Sequence, residues 1–208
     1  MTKFKNVFLL AAMAVSAVAF TGCEKDGEDN DNQTNAWDGV LTATNVEGVP
    51  DGVTIDAVKA FIGGYEVGSG TYENRGFTLS LLSPLPDKLS PVTNVEKEFP
   101  GTTASPADAK GCFSFDDFYV YAYKDGNEVG RFSSDTRTLE FSIVYVDKDV
   151  KTTGSSTTDE GYHYTFNLSL KKGWNKMYAV IDFKTGKAEI EMTTTEPSGI
   201  PAKWYFEY

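Results

Sequence analysis

Along much of the chain apolar and polar residues alternate one for one, the period of a strand with one buried face. The clearest run is Tyr162-His163-Tyr164-Thr165-Phe166-Asn167-Leu168-Ser169-Leu170. Its Tyr, Phe and Leu residues share one face, while His163, Thr165, Asn167 and Ser169 share the other. Leu139, Phe141, Ile143 and Tyr145 alternate in the same way, but Val144 and Val146 fill the opposite face. That pattern predicts a strand covered on both sides. From Trp37 onward no window shows a convincing 3.6-residue apolar period.

Punctuation fits the same reading. Gly, Asn and Asp recur every eight to twelve residues, the spacing of an all-β sandwich or barrel. Residues 113–123 and 128–132 flank Lys124-Asp125-Gly126-Asn127, whose Asp-Gly pair supplies the positive φ angles of a tight hairpin turn. Lys184-Thr185-Gly186-Lys187 predicts a second hairpin, joining 174–183 to 188–194. Further strands are expected at 38–44, 54–62, 65–72, 76–82 and 202–208. Pro84, Pro86, Pro91, Pro100 and Pro106 mark 83–111 as a long, largely irregular crossover. The Ser- and Thr-rich stretch 148–161 reads as a polar loop whose length permits a binding role. The expected fold is all-β: an antiparallel β-sandwich of about ten strands, with a lipocalin-like β-barrel as the alternative.

The amino terminus departs from this pattern. Lys3 and Lys5 precede an apolar run from Val7 to Phe20, and Thr21-Gly22 then leads to Cys23. That order is a charged segment, a hydrophobic segment and a small-residue cleavage site. The run covers fourteen residues, short of the roughly 20 a spanning helix needs. Ala19-Phe20-Thr21-Gly22-Cys23 resembles the bacterial lipobox, although Phe20 stands where Leu is common. The resemblance implies cleavage before Cys23 and lipid on its thiol. An ordinary cysteine in a conventional secreted protein is the alternative, and it leaves the position of Cys23 unaccounted for. Two or more acyl chains hold a protein stably to a bilayer, at about 0.8 kcal/mol per buried methylene.

Residues 24–33 contain no apolar side chain, so they read as part of a flexible, self-repelling tether over 23–36, with a single β domain over 37–208. A calcium loop starting at Asp26 fails on spacing, because Asp31 stands where Gly is required and Trp37 where Glu is required. The acidic patch behind Cys23 resembles the export signal of surface lipoproteins of the Bacteroidetes, which implies an outward-facing location on the outer membrane. The periplasmic face is the alternative.

Charge narrows the partners. Cleavage before Cys23 removes Lys3 and Lys5 and no acid, moving the formal charge from −11 to −13 over the remaining 186 residues. Such a surface repels phosphate backbones, so no nucleic-acid partner is expected. The size suits one core burying about 70% of the unfolded surface. With Cys23 lipidated, Cys112 is alone and reads as a small buried apolar residue. His163 is the one histidine, which leaves nucleophilic triads and structural zinc without ligands or bases. No catalytic residue, metal ligand or cofactor is therefore expected. The acid pairs Asp116-Asp117 and Asp147/Asp149 keep a carboxylate-dependent hydrolase open as a minor reading. Trp174, after a glycine at a strand start, and Trp37, at the tether boundary, are the expected exposed aromatics for stacking on a sugar.

The segments 70–81, 172–178 and 202–206 resemble uncharacterised lipoproteins of gut Bacteroidetes. The resemblance implies a β-sandwich or lipocalin-like barrel and supplies no catalytic residues. The expected function is a non-enzymatic, membrane-anchored module binding a glycan or another extracellular ligand. A structural or adhesive component that meets protein partners through strand edges is the alternative. Replacing Cys23 with Ser should release the protein from membranes and abolish lipid labelling; unchanged membrane retention in the variant would refute lipidation at this cysteine.

Overall fold

A computed structural model describes residues 37–112, 118–134, 136–184, 187–198 and 203–208. The expected signal segment, Cys23 and the tether lie outside the described residues, as do Asp116, Asp117 and the centre of the Lys184–Lys187 turn. In chain order the strands are β1 (Val40–Ala43), β2 (Ala57–Ile62), β3 (Tyr65–Glu73), β4 (Gly76–Leu81), β5 (Ser90–Pro91), β6 (Thr102–Ser105), β7 (Lys110–Cys112) and β8 (Phe118–Lys124). They continue as β9 (Asn127–Ser133), β10 (Leu139–Val146), β11 (Val150–Thr157), β12 (His163–Leu170), β13 (Gly173–Lys184), β14 (Lys187–Thr193) and β15 (Tyr205–Glu207). A short helix, α1 (Asn94–Glu98), lies between β5 and β6.

Seven strands pair in the order β1-β4-β3-β2-β8-β9-β15, and eight in the order β5-β7-β10-β13-β14-β12-β11-β6. Both sheets curl into half-barrels, so the fold is all-β and sandwich-like or barrel-like. Among the described residues there are fifteen strands where about ten are expected: β5, β6 and β7, two to four residues long, fall in the expected crossover and β11 in the expected loop. The sheets are not wholly antiparallel as expected. β13 and β14 form a hairpin, and β14 inserts beside β12, so that β12 and β14 run parallel.

Two hydrophobic cores result. The first lies between the sheets, where Val58, Ala60, Phe77, Leu79 and Val120 meet Leu139, Phe141, Ile143, Trp174 and Tyr178. The second fills the curl of the eight-stranded sheet, where Val144, Val146, Met177 and Ala179 meet Tyr164, Phe166, Leu168 and Leu170. β10 and β13 therefore contribute alternate residues to both cores, which explains the nearly unbroken apolar run of β10. β12 serves one core only and keeps strict alternation, with every second residue buried.

Segment 83–111, expected to be irregular, plugs the second core. Val92, Val95 and Phe99 are buried there around α1. Thr102 Oγ1 donates to the Phe99 carbonyl at 2.8 Å, and the Ala104 amide donates to Glu96 at 2.8 Å, tying α1 to β6. A helix of five residues is too short to show periodicity, and Pro91 sits in an edge strand where its missing N–H is harmless. The expected loop over 148–161 is largely β11, paired with β12 on one side and β6 on the other. Its inward residues include Thr152 and Ser156, so a strand with hydroxyls at buried positions lacks the apolar alternation.

The Asp125-Gly126 turn has the expected geometry, with φ of 50° and 79°. Close approach fixes another glycine: a Cβ on Gly130 would sit 2.3 Å from the Phe206 ring. β15 thereby lies flush on β9. The curl of the eight-stranded sheet contains a void of about 20 Å³ lined by Val92, Val144, Leu168 and Met177 among others, room for about one water. That region is a packed core and not a ligand-holding barrel lumen.

Ile143 is fully buried between the sheets. Ile143→Ala should lower the free energy of unfolding by about 2–5 kcal/mol in denaturant titration. A loss under about 1 kcal/mol would contradict this packing.

Candidate functional site

Pairing of β2 with β8 sets Lys59 opposite Tyr121, Phe61 opposite Tyr119 and Ala57 opposite Tyr123. The intervening residues Val58, Ala60, Val120 and Ala122 point inward and are almost completely buried. Because side chains alternate across a strand, Phe61, Tyr119, Tyr121 and Tyr123 stand together on the outer face of the seven-stranded sheet. All four are half-buried. Phe61 and Tyr121 meet edge to face at 5.6 Å, and Tyr119 and Tyr121 lie 5.8 Å apart with their planes inclined by 32°. Lys59 Nζ sits 5.4 Å from the centre of the Tyr123 ring. The result is a row of rings along β8 with Phe61 beside it.

Ion pairs frame the row. Lys59 bonds Glu66 at 2.8 Å, Arg131 bonds Glu207 at 2.7 Å and Lys124 bonds Asp56 at 2.8 Å. Burial pushes the Tyr121 phenol above its ordinary pKa, with nearby Glu128 adding to the shift, so it is neutral and a hydrogen-bond donor at physiological pH. Aromatic rings, phenol hydroxyls and carboxylate oxygens are thus brought together on this face. The sequence carries part of this signal in Tyr119-Val120-Tyr121-Ala122-Tyr123, whose alternation puts the three tyrosines on one face and the small residues on the other. Reading that segment only as half of a hairpin missed it.

The tryptophans fall elsewhere. Trp174, expected to be exposed, is 5% exposed and belongs to the core between the sheets. Gly173 and Trp174 open β13 and pair with Val146 and Tyr145, and the Trp174 side chain turns to the face that packs against the seven-stranded sheet. The Trp174 ring packs 5.4 Å from Tyr145, and its indole N–H has no partner among the described residues. Trp37 is half-buried against the same core, with Lys176 Nζ 5.4 Å from its ring centre. Neither is brought to the Tyr row by the contacts that hold it.

The remaining candidates serve structure. Cys112 is buried, and burial raises its thiol pKa, as suits a small core residue. His163 is on the exposed face of β12, 3.0 Å from Thr157 Oγ1. Asp147 accepts the Lys110 amide, while Asp149 accepts the Lys172 amide and the Lys171 ammonium. These two acids fasten strand ends. Among the described residues no group of three or more His, Cys, Asp or Glu side chains is placed to hold a metal, and no helix is long and apolar enough to cross a membrane. The edge strands β1, β15, β5 and β6 are four, three, two and four residues long. Short edges offer little template for pairing with another chain.

Fold and site together define a sandwich-like β protein with an aromatic strip on an outer sheet face. No protein-family profile, curated protein or solved structure matches this chain.

Asp56, Asp108 and Asp149 all have carboxyl pKa values below the ordinary 3.8. Lys124 bonds Asp56, Lys148 bonds Asp108, and the Lys172 amide with Lys171 bonds Asp149. A depressed folded pKa means that the unfolded chain takes up protons first, so the stability from these contacts is complete above the ordinary range and lost as pH falls through and below it. The thermal midpoint should drop between about pH 5 and pH 2, and Asp149→Asn should make that drop shallower. A midpoint that stays flat or rises on acidification would contradict the assignment.

Proposed function

We propose that this protein is a lipid-anchored, non-enzymatic binding module that holds a glycan on the outer face of its seven-stranded sheet. The observation that carries the reading is the row Tyr119, Tyr121 and Tyr123 with Phe61, four aromatic residues on a sheet face with none of them in either buried core. Aromatic residues in strands are most economically placed inward, where they bury 150–250 Å² each. Here Val120 and Ala122 take the inward positions and the tyrosines stand out. Ring faces suit the C–H faces of a sugar, and phenols and carboxylates suit its hydroxyls.

Anchoring through lipid on Cys23 and an outward orientation on the outer membrane belong to the same proposal, supported by the amino-terminal pattern and the acidic residues behind it. A tethered module of this kind serves to concentrate ligand at the membrane. The paired strand-end acids Asp147 and Asp149 give a hydrolytic reading no support, because backbone amides and a lysine already engage them. The short edge strands give no support to assembly through strand addition.

A calorimetric and thermal-shift screen of the protein against monosaccharides, oligosaccharides and host-type glycans should yield a binder. Tyr121→Ala should then weaken binding by about tenfold or more, equivalent to about 1.4 kcal/mol, while leaving the fold intact by circular dichroism. Full binding by a well-folded Tyr121→Ala variant would place the ligand elsewhere.

A further inference from the structure

The Tyr row also constrains what kind of glycan fits, an inference that rests on the glycan reading above. Tyr119, Tyr121 and Tyr123 occupy alternate positions of one strand, so their backbone attachment points repeat at about 6.8 Å in a line. A line of aromatic rings at that repeat favours a ligand that is itself a line of repeating rings. A single terminal sugar would use one tyrosine and leave the others idle.

Ring inclination adds a second constraint. Tyr119 and Tyr121 are inclined by 32°, and Phe61 and Tyr121 by 73°. Pairing of β8 with β9 shifts register between Ala122 and Tyr123, a bulge that increases local twist. Tyr119 and Tyr121, inclined by 32°, share no common plane, so a flat crystalline surface cannot lie on both, whereas a free chain can follow them.

Charge supplies the third. Lys59, Arg131 and Lys124, the cations that frame the row, are each engaged by a carboxylate, Glu66, Glu207 and Asp56 respectively. A uronate or sulfate ester would have to break one of these pairs to gain a cation. It would also approach a chain of net charge −11. Hydroxyls carry no such penalty and can accept from the phenols and donate to the carboxylates.

We propose that the ligand is a neutral, unbranched, soluble glycan chain of three or more units, lying along β8 across Tyr119, Tyr121 and Tyr123. Affinity then depends on chain length until the row is covered.

The test uses the full chain carrying Cys23→Ser, titrated calorimetrically with gluco-, manno-, xylo- and galacto-oligosaccharide series from monosaccharide to hexasaccharide. Polygalacturonate, dextran sulfate and microcrystalline cellulose complete the panel. In the series that binds, affinity should rise by about tenfold or more from monosaccharide to trisaccharide and then level off. Tyr119→Ala and Tyr123→Ala, at the two ends of the row, should each remove most of that rise with chain length. Polyanions and the crystalline surface should bind more weakly than the neutral soluble chain. Length-independent binding, or tighter binding of a polyanion or of cellulose, would overturn this inference and leave the glycan reading standing. Absence of binding to every member of the panel would overturn both.

Discussion

β10 and β13 are buried on both faces, and the rest of the molecule is arranged around that pair. Eight residues pair in register from Leu139 with Val180 to Val146 with Gly173. Alternate side chains go to opposite sides, so Phe141 and Tyr178 enter the core between the sheets while Val144 and Met177 enter the curl of the eight-stranded sheet. Each fully buried large apolar side chain is worth about 1.5–3 kcal/mol. A two-strand ribbon that feeds two cores therefore couples them: displacing it would strip both at once. The plug around α1 completes the second core, and Trp204 completes the first against Phe77 and Phe141.

Concentrating stability there releases the outer surfaces. The outer face of β12 carries His163, Thr165, Asn167 and Ser169, all exposed, and none of them is needed by either core. In the seven-stranded sheet, the outer face of β2 and β8 carries Phe61 and the three tyrosines. The same alternation that packs Val58, Ala60, Val120 and Ala122 inward places those rings outward. Placement on two regular, paired strands holds the rings in fixed relation, which a loop-borne site does less well. The aromatic face is thus a by-product of register: shift β8 by one residue and the tyrosines would be forced inward where small residues now fit.

Legibility in the sequence followed burial. β12, with one buried face, and β10, with two, were readable from alternation, as was the Asp125-Gly126 hairpin from its turn chemistry. β11 was not, because Thr152 and Ser156 occupy buried positions where the pattern looks for aliphatic side chains. α1 was hidden by its five-residue length and by the prolines around it. Trp174 is buried although Gly173 before it does open β13, because alternation turns the indole to the face that meets the seven-stranded sheet. The tyrosine row was overlooked for a related reason. Alternation tells that Tyr119, Tyr121 and Tyr123 share a face, but strand propensity favours aromatics on either face, and only the pairing of β8 with β2 decides which face is inward.

Through the shared β10–β13 ribbon the two cores form one cooperative unit. Native-state amide hydrogen exchange measures this directly. The amides of Ile143 in β10, Ala60 in β2 and Phe166 in β12 should exchange with one common opening free energy, equal to that of global unfolding. Exchange of the β11–β12 amides through a separate, lower-energy opening, with β2 and β10 still protected, would contradict it.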